Sequence, residues 1–93
     1  MGLRFEWDPD KASQNVRKHG VSFAEAEGVF ADPLALEVPD PGHSDDEPRW
    51  IAIGRSYQGR VLVVAFSERE GATRLISARS ATRSEVKRYE EEQ

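Results

Sequence analysis

Seven arginines (Arg49, Arg55, Arg60, Arg69, Arg74, Arg79 and Arg83) lie in one stretch with no lysine and only Glu68 and Glu70 against them. Seven positive charges less two negative give that stretch +5, which leaves −9 for the remainder of a chain whose total is −4. Guanidinium is planar, always charged and able to donate two parallel hydrogen bonds, so arginine without lysine suits phosphate oxygens and base faces. The alternative reading is that charged residues on strands suppress edge-to-edge aggregation. Lys18-His19 adds an ammonium beside an imidazole, which can serve as base or acid; the same pair also complements the negative end of a helix dipole. His43-Ser44-Asp45-Asp46-Glu47 packs an imidazole and three carboxylates into five residues, but it lacks the helical spacing that preorganises metal ligands, and a solvated acidic loop is expected instead. No serine sits in a nucleophile turn and the glycines are scattered, so neither a Ser-His-Asp triad nor a phosphate-binding loop is expected.

The elements that must position these groups read as follows. Leu3 to Trp7 alternates at period two, a short strand. Asp8-Pro9 opens a helix that Lys18-His19-Gly20 closes, Ala12 and Val16 giving it a thin apolar stripe. Ser22-Phe23-Ala24-Glu25 has the pattern of a capping box and starts a second helix, with Phe23, Ala26, Val29 and Phe30 on one face and Asp32-Pro33 as its stop. Leu34 to Val38 is a strand, Pro39 to Pro48 a polar loop. Arg49 to Tyr57, Arg60 to Ser67 and Thr73 to Ser80 form a meander with turns at Gln58-Gly59 and Glu70-Gly71. Thr82-Arg83-Ser84-Glu85 is a second capping box, opening a helix whose large apolar residues are Val86 and Tyr89. Period two groups Arg55 with Ile51 and Ile53, and Arg60 with Leu62, Val64 and Phe66. It also groups Arg79 with Leu75 and Arg74 with Ile76, so only one of that pair is expected on a face shared with Arg55. The fold class is α+β, one domain over residues 1–93.

With 93 residues, 38% of them hydrophobic and 32% charged with mixed signs, the chain can build one small core and is not of the disordered class. Cysteine is absent, which excludes disulfide scaffolds, thiolate zinc sites and thiol nucleophiles. The longest apolar run, Val61 to Phe66, falls well short of the roughly 20 residues a membrane helix needs, and no signal-peptide core is present. A cytoplasmic location with no membrane contact is expected.

Phe5-Glu6-Trp7-Asp8, Lys11-Ala12, Asn15, Lys18-His19-Gly20-Val21-Ser22-Phe23, Val29-Phe30 and Asp32-Pro33 form an ordered series of short motifs. It continues through Asp40, His43-Ser44, Glu47, Arg49-Trp50, Ile53-Gly54-Arg55, Gly59-Arg60, the run from Arg74 to Arg79, Ala81-Thr82, Glu85 and Tyr89. The series resembles the BrnT family of toxins from type II toxin–antitoxin systems over nearly the whole chain. Extra acids between Glu37 and Glu47 and an acidic tail depart from the pattern. The resemblance implies a RelE-like fold, in which an antiparallel sheet of the N-terminal strand and the C-terminal meander packs with two N-terminal helices and one C-terminal helix. It also implies a bacterial ribonuclease that arrests growth, and a BrnA-type ribbon-helix-helix antitoxin through which alone DNA would be contacted.

Residue chemistry agrees with that implication. RNA can be cut without metal or cofactor if a base draws the proton from a 2′-hydroxyl and cations hold the charge that develops on phosphorus. Arg79 and Arg55 are the leading candidates to stabilise that charge, with Lys18 and His19 at the helix end. Arg60, Arg74 and Arg83 would position RNA, and Tyr89 would stack on a base or simply pack. The rival is a non-catalytic module whose arginine-rich sheet docks an acidic partner protein.

Overall fold

The structure is a computed structural model that describes residues 3–40 and 47–92. Its elements are β1 (Phe5–Glu6), α1 (Pro9–His19), α2 (Phe23–Ala26) running into a 3₁₀ turn (Glu27–Ala31), β2 (Leu36–Pro39), β3 (Arg49–Arg55), β4 (Val61–Arg69), β5 (Ala72–Ser80) and α3 (Arg83–Glu91). One five-stranded sheet has the order β1-β5-β4-β3-β2.

β2 through β5 pair antiparallel, as hairpin-joined strands must, but β1 lies parallel to β5, with Phe5 opposite Thr73 and Glu6 opposite Arg74. This corrects the expectation of a wholly antiparallel sheet. No hairpin joins β1 to β5, and hairpin geometry therefore does not dictate their relative direction. The second helix is also shorter than its apolar spacing predicts. Gly28 packs against the Ser56–Tyr57 backbone so closely that a Cβ would collide with it, and the chain tightens there into the 3₁₀ turn.

Each sheet face carries its own apolar cluster. On one, Phe23, Ala26 and Val29 meet Ala52, Leu62, Val64, Phe66, Leu75 and Ala78, flanked by edge-on aromatic pairs such as Phe30–Phe66 at 4.9 Å and Trp7–Phe23 at 5.7 Å. On the other, Val86 and Tyr89 of α3 cover Ile53, Val61 and Val63. Burial of these side chains, at about 25 cal/mol per Å² of apolar surface, is the main source of stability in a chain without disulfides.

β5 contains an irregularity that decides where its arginines point. Ala65 pairs with Ser77 but Phe66 pairs with Leu75, so Ile76 is an extra residue in β5. Alternation skips one position there. Leu75 and Ala78 both join the α1–α2 face, whereas Arg74, Ser77 and Arg79 all share the face of Arg55, because cross-strand partners share a face. The expectation that only one of Arg74 and Arg79 shares a face with Arg55 is therefore corrected.

Candidate functional site

α1 is fixed both in rotation and at its end. Asp8 caps it, its side chain accepting from the Asp10 amide at 2.8 Å, and Gly20 closes it with φ 68°, its amide donating to Val16 O at 2.8 Å. The buried Asn15 amide donates to Val21 O at 2.9 Å and Ala78 O at 2.8 Å and accepts from Ala78 N–H at 3.1 Å. It thus acts as a substitute strand on the edge of β5. Beside it lies a cleft of about 220 Å³ lined by Lys11, Gln14, Asn15, Lys18, His19, Ile76 and Ser77. None of those residues is a carboxylate. Among the described residues, the side chains of Lys11, Gln14, Lys18, His19 and Ser77 make no hydrogen bond or ion pair.

The meander arginines behave differently. Arg79 lies two residues beyond Ser77 on the same face and donates two parallel bonds to Glu85, at 2.8 and 2.9 Å. Those bonds, against the effect of burial and with help from the Thr82 amide, hold the Glu85 carboxyl at about 2 and raise the Arg79 guanidinium above its already high value. Glu85 also completes the capping box of α3, accepting from Thr82 N–H at 2.8 Å. Arg74 pairs with Glu6 at 3.0 Å, and Arg69 with Glu47 at 3.0 Å. Glu47 accepts from the Ser67 hydroxyl at 2.9 Å as well, so this end of the acidic loop closes on the arginine face; residues 41–46, with His43 and most of the suspected metal-like cluster, lie outside the described residues.

Arg55 stands over the Tyr89 ring, 5.7 Å from its centroid, and donates to Gly59 O at 3.1 Å. Tyr89 is 2% exposed and its hydroxyl donates to Asp32 at 2.6 Å, which places it as packing rather than as an open platform for a base. Burial and the neighbouring Asp32 carboxylate push the Tyr89 hydroxyl up. Burial would raise Asp32, but the Arg55 amide, the Tyr89 hydroxyl and the Leu34 amide outweigh it and hold that carboxyl low. Arg60 lies on the opposite face from Arg55 and Arg79, bonded twice to buried Glu25 at 2.7 Å and once to Gly20 O at 2.9 Å. The Arg60 bonds, against burial and together with the Ser56 hydroxyl at 2.6 Å, lower the Glu25 carboxyl. Its carboxylate is thus spent on the connection between β3 and β4 and not on the N-terminus of its own helix, where only the Ser22 half of the expected capping box forms.

The family described as "Ribonuclease toxin, BrnT, of type II toxin-antitoxin system" matches residues 7–85, most of the chain. The chain belongs to the BrnT family. A solved structure of the BrnT ribonuclease toxin of Brucella abortus is similar to it, with 29% identity, a TM-score of 0.70, and coverage of 88% of this chain and 100% of that one. No curated protein sequence matches. As a BrnT-type ribonuclease toxin of a type II system, the chain has RNA as its target and an antitoxin as its partner.

Within this BrnT chain, the residues expected to act on RNA do not all share one place. Lys18 and His19 meet Ser77 in the cleft at the β5 edge, and Arg79 lies two residues beyond Ser77 on the same strand. Arg55 shares that face but is two strand spacings away, roughly 10 Å, with α3 packed over Ile53, Val61 and Val63 between them. Arg60 and Arg74 are closed in ion pairs, and Arg83 is exposed in the first turn of α3. Lys11, Gln14 and Ser77 escaped the sequence reading. Their signal was the i, i+3, i+7 stripe of Lys11, Gln14 and Lys18 on a helix whose amide at position 15 is buried.

Proposed function

We propose that this chain is a metal-independent endoribonuclease of RelE-like architecture that acts in the cytoplasm and is neutralised by a BrnA-type ribbon-helix-helix antitoxin. What carries the reading is the cleft in which Lys18 and His19 meet Ser77, two residues before Arg79 on the same strand, with no carboxylate among the described lining residues. In this reading Lys18 or His19 takes the proton of the 2′-hydroxyl, the freed oxygen forms a bond to the adjacent phosphorus, and the P–O5′ bond breaks with a proton returned to the leaving oxygen. Arg79 stabilises the charge gathering on the non-bridging oxygens, aided by the orientation that Glu85 gives it. A lining with two ammonium groups and, among the described residues, no carboxylate would repel a divalent cation rather than hold one, which supports chemistry without metal.

The docking-module alternative has less support, since Arg60, Arg69 and Arg74 already have glutamate partners. Incubation of the purified chain with RNA in EDTA separates the two readings. Cleavage leaving 2′,3′-cyclic phosphate and 5′-hydroxyl ends is expected; RNA intact at high protein excess would overturn the enzyme reading.

A further inference from the structure

We infer that the cleft between α1 and β5 is a nucleotide-reading subsite, in which Gln14 reads the edge of one unpaired base against Ile76 while Lys11 holds a flanking phosphate. The inference rests on the ribonuclease reading and deepens it, since it assigns substrate selection to residues that the proton transfer does not use. Adjacent residues on α1 show why Gln14 is the reader. Asn15 spends its amide on Val21 and Ala78, whereas the Gln14 amide, one residue earlier, has no partner among the described residues and is exposed on the cleft wall. Because Asn15 clamps α1 to Ala78, the helix cannot rotate freely, and Lys11 and Lys18, four before and three after Asn15, are held on the same side.

The opposite wall is supplied by the bulge. Ile76 is the extra residue of β5, half-buried, and it lines the cleft instead of joining either apolar cluster. Bulges re-aim side chains in this way. An apolar wall facing an amide with free donor and acceptor, with ammonium groups at the cleft and no carboxylate, matches the parts of a single-stranded RNA: a base face, a base edge and phosphates. A duplex would hide both base features, so the occupant is an unpaired strand.

Cleavage of a randomised RNA pool by the full chain, together with binding of a fully 2′-O-methylated strand that cannot be cut, tests this directly. Wild type is expected to prefer certain bases at one position fixed relative to the cut. Gln14→Ala should reduce that preference about tenfold, a shift in selectivity that loss of folded protein alone would not produce. Lys11→Ala should weaken binding of all sequences and lower the slope of log affinity against log salt by about 0.7. Arg17→Ala, which removes a charge from the same helix outside the cleft, should leave that slope as it is. Unchanged base preference in Gln14→Ala would overturn the reading role, and an unchanged salt slope in Lys11→Ala, or an equal fall in Arg17→Ala, would overturn the phosphate contact. A wild-type chain that cuts RNA while these variants behave like it would refute the subsite alone; one that neither cuts nor binds RNA would overturn the ribonuclease reading together with the subsite.

Discussion

Arg79 owes its orientation to Glu85, and the pair sets a pH dependence with a definite sign. The Glu85 carboxyl sits at about 2 in the folded chain against an ordinary 4.5. Its contribution to stability is therefore complete above about pH 4.5 and is lost as pH falls toward 2. Urea unfolding across that window should show an acid limb that Glu85→Gln flattens. Arg60→Ala should be the more damaging change, because it leaves the buried Glu25 carboxylate with only Ser56; a loss of about 3 kcal/mol by urea unfolding is expected. The Arg60–Glu25 and Arg74–Glu6 pairings were not legible in the chain. Glu25 and Arg60 are 35 residues apart, and Glu6 and Arg74 are 68 apart, so a count of arginines could not say which are neutralised. The second capping box was legible, since Thr82 and Glu85 are neighbours whose bonds depend only on local helix geometry.

At the level of elements, strands and helices followed from alternation, caps and turns, whereas faces did not. Period two holds only while the ladder is regular, and the extra residue at Ile76 moves Arg79 to the face that Arg74 and Arg55 share. Nothing in Leu75-Ile76-Ser77 marks which residue bulges; pairing with Ala65 and Phe66 decides it. The anchoring of α1 was equally hidden, because an asparagine inside a helix reads as a weak helix former until its strand partner is known. Asn15→Ala would leave the Ala78 and Val21 backbone groups unsatisfied, and about 2–4 kcal/mol of destabilisation is expected by chemical denaturation. Gly28→Ala should also destabilise, by about 1–3 kcal/mol, as the 3₁₀ turn is pushed off the Tyr57 backbone.

Across the whole molecule, charge separates differently in space than along the chain. The +5 meander suggests an open cationic sheet, yet Arg60, Arg69, Arg74 and Arg79 each face a glutamate, all four from outside that stretch, at Glu25, Glu47, Glu6 and Glu85. Among the described residues, the cations left without partners at the cleft are Lys11 and Lys18, from the part of the chain outside the meander, whose net charge is −9. Lys18 and His19 were legible as a candidate pair, but Ser77, which shares their cleft, comes from β5, and only the folded sheet edge brings it close. In the proposed function, Lys18 and His19 at the β5 edge cut RNA together with Arg79. Single-turnover cleavage in EDTA tests it most directly: Lys18→Ala and Arg79→Ala, each confirmed folded, should each slow cleavage on the order of 100-fold and abolish growth arrest. Wild-type rates in both variants would rule out these residues as the cleaving groups.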